Sequence, residues 1–303
     1  MEALQSVDTL EELQRQFHNE SSCVSFLYNL KWPHGFVCPR CQHAHAYVIR
    51  TRRLPLYECR ACRHQTSLIA GTVMEGSRTS LQKWLTAFWL VSRSDIGINA
   101  VRLSSIIEVT YKTAWLMLHK IRAAISRGDT VRPLAGMVHG FVAFYGHHPS
   151  RQLNPRECPL IVAESVMPDG QTGELKMKLV EPTHHSNKLL LRSDCEHFAD
   201  LHVAKTATET SIIRHNFQVR RNSPLYQSFK RAWRWMNDTF HGIGAKYLQA
   251  YLDEFCFRFN TSLQHTSTWE QLLCLCVAVL SPSSAASCTR FEEPLVSGIQ
   301  IAA

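Results

Sequence analysis

Two Cys-x-x-Cys pairs, Cys38/Cys41 and Cys59/Cys62, lie 17 residues apart in a chain of 303. Each pair sets two thiolates at the tip of a tight turn, and two such turns close a tetrahedron around one Zn²⁺. The stretch between them accommodates a short hairpin, with residues 47–49 and 54–57 as its arms. This spacing predicts a zinc ribbon over 36–68. With all four positions filled by protein, the metal is structural and leaves no open site for catalysis. Two unrelated turns, or a single redox pair, are the blander readings of the same cysteines. The other seven cysteines show no framework spacing, which points to a reducing, cytoplasmic compartment.

Charge indicates what the ribbon meets. Residues 31–63 carry seven Lys/Arg against the single acid Glu58. Residues 1–133 hold 17 Lys/Arg and 10 Asp/Glu, whereas 134–303 hold 16 and 15, so the net charge of +8 sits almost wholly in the N-terminal part. Such a basic surface around a metal module suits a polyanion, duplex DNA first. Arg50, Arg52 and Arg53 are its candidate contacts in the ribbon. No apolar stretch reaches the length of a membrane span, and the N-terminus lacks a signal-peptide pattern.

Periodicity divides the chain further. A helical segment over 9–30, within a unit 1–35, leads through Trp32-Pro33-His34-Gly35 into the ribbon. Amphipathic helices follow over 80–91, 99–107 and from the capping residue Thr110 to about 125, giving a helix-turn-helix-like unit over 78–127. On the third helix Ala114, Met117, Leu118, Ile121 and Ile125 form the inner face, and Lys112, Thr113 and Lys120 are the candidate DNA contacts. From 134 to 262 the pattern is mixed α/β: apolar runs at 137–145, 159–166, 175–180 and 189–191, a turn at 167–170, and helix after Asp194, clearest over 245–260. Residues 281–303 read as a tail without order.

Several stretches in this order resemble insertion-sequence transposases of the IS1595 type, over about 9–262. They are WPHGFVCPRC (32–41), CRHQTS (62–67) with AGT (70–72), YKTAW (111–115) with HKIR (119–122), and YLQAYLDEFCFRFN (247–260). The resemblance implies an ISXO2-like DDE domain of RNase H-like fold, whose Asp, Asp and Glu hold two Mg²⁺ or Mn²⁺ for strand cleavage and transfer. It also implies double-stranded DNA, the element's terminal repeats, as partner, with homo-oligomerisation left open.

In the register held by Leu134, Gly136, Val138 and Gly146, the first catalytic Asp falls on Phe141. The second falls on Asp194, after a shortened segment at 181–189. The third acid falls on Leu225, three residues after Asn222, with Pro224 as a helix breaker beside it. Asp194 is then the one remaining triad member, or simply a helix cap. The expectation is a DNA-binding transposase relative that has lost its cutting site and binds no catalytic Mg²⁺ or Mn²⁺. The alternatives are an active enzyme using His139, Asp194 and Glu196, and a zinc-ribbon protein–protein adaptor.

Overall fold

The computed structural model describes residues 9–93, 97–146, 154, 157–166, 172–180 and 188–277. The expected turn at 167–170, the shortened segment at 181–187 and the tail at 281–303 lie outside these residues.

The helix expected over 9–30 is two helices, α1 (Leu10–Gln16) and α2 (Glu20–Lys31). Asn19 makes the break: its side-chain oxygen accepts from the Ser22 amide at 2.7 Å, capping α2. The ribbon is a three-stranded antiparallel sheet, β1 (Ala46–Ile49), β2 (Leu56–Cys59) and β3 (Gln65–Ser67). Sequence periodicity placed the second arm two residues early and gave no sign of the third. Lys31, at the end of α2, donates to the carbonyls of Ser67, Leu68 and Ala70, tying the helix to the far end of the ribbon.

Three helices follow: α3 (Leu81–Ser92), α4 (Ala100–Ile106) and α5 (Tyr111–Thr130). Asn99 and Thr110 cap the last two through the Arg102 and Thr113 amides. α5 runs past the expected end at 125 and carries Gly128 within it, where the Leu275 side chain packs so closely that a Cβ would clash.

Among the described residues, the second half is built around one four-stranded sheet. β4 (Met137–Tyr145), β5 (Cys158–Val166) and β6 (Thr172–Leu179) form an antiparallel meander. The chain then crosses over through α6 (Arg192–His202) and returns as β7 (Glu209–Ile213), parallel to β4, giving the order β6-β5-β4-β7. The strand expected at 189–191 is reduced to one bridge from Leu189 to His215. β7 was not anticipated, because an exposed edge strand reading Glu-Thr-Ser-Ile-Ile lacks the apolar alternation of a half-buried one.

The two faces of this sheet bury different cores. Val138, Val142 and Phe144 point towards Phe198 of α6. Phe141, Ala143 and Tyr145 point towards α7 (Pro224–Phe240) and α8 (Ala245–Leu263). Pro224 is not the helix breaker that the sequence suggested. It occupies the first turn of α7, where its missing amide costs nothing, and Ser223 caps the helix through the Tyr226 amide.

The last described helix, α9 (Thr268–Val277), returns to the N-terminal half. Its Trp269, Leu272, Leu273, Cys276 and Val277 belong to the same buried cluster as Leu85, Phe88, Leu118 and Ile121 of α3 and α5.

Candidate metal centre and nucleic-acid interface

The sulfurs of Cys38, Cys41, Cys59 and Cys62 all lie within 4.8 Å of one another. Cys38 Sγ is 3.6 Å from Cys62 Sγ, and Cys41 Sγ is 3.5 Å from Cys59 Sγ. A tetrahedron with Zn–S bonds of about 2.3 Å has S···S edges of roughly 3.8 Å, so the donor set fits one Zn²⁺.

The two turns that carry the sulfurs repeat one design. In the first, the Cys38 amide donates to His43 O and the Gln42 amide to Cys38 O. In the second, the Cys59 amide donates to His64 O and the Arg63 amide to Cys59 O. Gln42 (φ 61°) and Arg63 (φ 58°) both take the left-handed conformation that lets each turn fold back. Burial pushes the Cys59 thiol up, but the amides of Cys62 and Ala61 and the neighbouring thiols outweigh it and bring the group down to about 7. When bound, the metal cross-links the two turns. Beneath them Trp32 and Phe36 pack with Tyr28 and Tyr57, ring centroids 5.0–5.9 Å apart. This explains the Trp-Pro-His-Gly-Phe stretch: two aromatic anchors joined by a turn in which Gly35 has φ 93°.

In the α/β half, Phe141 and Leu225 are brought together in the apolar core beneath α7. Phe141 is 3% exposed, with the rings of Tyr226 and Phe229 at 5.9 and 6.4 Å, and Leu225 is 6% exposed. Asp194 is not with them. It sits in the first turn of α6, which packs on the opposite face of the sheet, and its carboxylate accepts from the Leu191 amide at 3.0 Å. His139 lies exposed on β4 opposite Glu164, whose carboxyl burial pushes up, with His139 opposing. Glu196 pairs with Arg192 at 2.9 Å. His139, Asp194 and Glu196 do not close into a ligand group, and among the described residues only the four cysteines do.

Residues 18–65 match the transposase zinc-ribbon domain of the IS1595 type, and residues 165–260 match the ISXO2-like transposase domain. The chain is an IS1595-type transposase relative. No curated protein and no solved structure matches it. The first match spans all four cysteines. The second spans Asp194 and Leu225 but begins after β4, so it does not include Phe141.

Between the two matches, α4 and α5 of this transposase relative are joined by a four-residue turn, 107–110. An open cleft beside it is lined by Arg78, Ser80 and Lys83 from the start of α3 and by Thr110 and Thr113 from the start of α5. Sequence reasoning passed over Arg78 and Lys83, which precede or interrupt the apolar stripe of α3 and become neighbours of α5 only through folding. Of the residues singled out from sequence, Arg50, Arg52 and Lys112 are exposed. Arg53 pairs with Glu20 at 2.7 Å. The Thr113 hydroxyl lies 2.9 Å from that of Thr110, and Lys120 donates to Glu75 O at 2.7 Å. Arg60 and Arg63 flank the exposed Tyr47 ring at 4.8 and 5.8 Å.

Proposed function

We propose that this IS1595-type relative binds duplex DNA, with the terminal repeats of an insertion sequence as its target, and does not cut it. The observation that carries the proposal is that Phe141 and Leu225, which the family resemblance sets at two of the three carboxylate positions, lie in one apolar core. Two-metal strand transfer needs oxygen ligands holding two ions about 4 Å apart. An aromatic side chain and a leucine supply none, and Asp194 serves as a helix-capping acid on the other face.

In this reading, residues 134–262 form a degenerate RNase H-like domain, which the parallel return of β7 beside β4 supports. Residues 78–127 act as a helix-turn-helix-like unit and 36–68 as the zinc ribbon. Arg50, Arg52, Lys112 and the cleft cation Arg78 meet phosphates, where each neutralised contact releases counterions. Arg53, Lys83, Thr113 and Lys120 are secondary contacts, because each already has a partner in the protein, Lys83 donating to Glu108 O at 3.0 Å.

The test is a cleavage and strand-transfer assay with Mg²⁺ or Mn²⁺ on terminal-repeat duplex, run beside a binding assay on the same DNA. The expected result is salt-sensitive binding, no cutting, and unchanged binding in Asp194→Ala. Metal-dependent cutting that disappears in Asp194→Ala would overturn the proposal. Phe141→Asp with Leu225→Glu would set two acids in an apolar core, and thermal melts are expected to show destabilisation by several kcal/mol.

A further inference from the structure

Residues 210–237 hold six Lys/Arg and no Asp or Glu. This local excess matches that of the ribbon, yet it vanishes in the near-neutral total of the C-terminal half. Folding keeps it concentrated. Arg214 turns inward and donates to Leu190 O, while Arg220, Arg221, Lys230, Arg231 and Arg234 are all exposed. None of these five is ion-paired to a carboxylate of the described residues.

α7 arranges them with little ambiguity. Leu225, Phe229, Ala232 and Met236 recur at i, i+4, i+7 and i+11 and are buried. Gln227, Lys230, Arg231 and Arg234 recur at i, i+3, i+4 and i+7 and form the opposite stripe, which the exposed Asp238 ends one turn further on. Lys230 and Arg234 stand about 6 Å apart along the helix axis. The Arg231 guanidinium lies over the Phe259 ring of α8 at 5.3 Å, which fixes its direction. Arg220 and Arg221 precede the capped start of the helix.

We infer that this outer face of α7, with Arg220 and Arg221 at its foot, is a second docking surface for the phosphate backbone of duplex DNA. The inference rests on the DNA-binding reading above and adds a contact surface on the α/β half. Duplex DNA suits the face better than an anionic bilayer does. The apolar side of α7 is already spent in the core, and a single Trp233, 40% exposed, leaves no apolar face to enter lipid. Closely spaced cations without intervening acids match a polymer bearing one charge per about 1.7 Å of its axis.

The test uses the full zinc-loaded chain and a random-sequence duplex, with affinity measured across a salt series. Lys230→Gln/Arg231→Gln/Arg234→Gln is compared with Arg50→Gln/Arg52→Gln/Lys112→Gln, and phosphatidylserine vesicles form a parallel arm. Each lost phosphate contact flattens the log–log salt slope by about 0.9, so the α7 variant is expected to flatten it by roughly two to three. Gln227→Lys, which lengthens the stripe, is expected to steepen it by about one and tests the surface independently of the triple variant's folding. An unchanged slope in both α7 variants, with the N-terminal variant flattened, overturns this inference and leaves the DNA-binding reading intact. A wild-type chain without salt-sensitive DNA binding overturns both. Loss of vesicle binding in the α7 variant with its DNA slope intact also overturns the inference and makes the face a membrane contact.

Discussion

Gln42 and Arg63 occupy equivalent places in the two cysteine turns, each with a side chain where the backbone favours glycine. Gln42→Gly and Arg63→Gly are each expected to stabilise the metal-loaded protein by up to about 1 kcal/mol, read as a rise in melting temperature. Cys59→Ser removes one of four sulfurs, so elemental analysis of the purified variant should show loss of the roughly one Zn²⁺ per chain expected of the wild type. His202 supplies a pH prediction. Burial, then Lys178 and Lys176, pull its imidazole from an ordinary 6.5 down to about 4, Asp129 opposing. Between these values the unfolded chain takes up a proton that the folded one refuses, so stability falls as pH drops from about 6.5 to about 4. His202→Gln should flatten that part of a melting-temperature profile. The cysteines were legible in the sequence because their chemistry is written in spacing. His202 was not, because its lysine neighbours come from β6, more than twenty residues upstream.

Helix ends govern the next scale. Asn19 divides what periodicity joins, and Asn19→Ala is expected to cost about 1 kcal/mol in denaturant melts, as loss of an N-cap usually does. Helices were largely readable because caps and 3.6-residue stripes are local signals: Thr110 and the face from Ala114 to Ile125 stand where the sequence put them. Pro224 was misjudged because proline stops a helix only from inside it, and the deciding fact is the cap one residue earlier. β7 escaped notice for the opposite reason. Its place is fixed by pairing with β4, some seventy residues upstream, rather than by its own composition.

At the scale of the molecule, α5 is less a free recognition helix than a spine between the two halves. Arg122 Nε donates to Glu254 Oε2 of α8 at 2.6 Å, both side chains at most 2% exposed. Asp129 accepts Lys176 and Lys178 of β6 at 2.8 and 2.6 Å, and Lys178 also meets Asp253 at 2.6 Å. Glu254→Ala, which leaves Arg122 buried without its carboxylate, is expected to cost about 3–5 kcal/mol in denaturant melts. None of this was visible in sequence, because the paired side chains lie 47 to 132 residues apart along the chain. Because α9 completes the core of α3 and α5, a chain ending before Thr268 is expected to lose its cooperative melt and to expose apolar surface to a hydrophobic dye.

The return of α9 also sets an order of events during synthesis. The ribbon and the three helices after it leave the ribosome first, yet the Cys276 carbonyl that receives the Val73 amide arrives some two hundred residues later. The N-terminal half therefore matures only once α9 has been made. A product that stops short of α9 is left with an N-terminal core missing one of its walls.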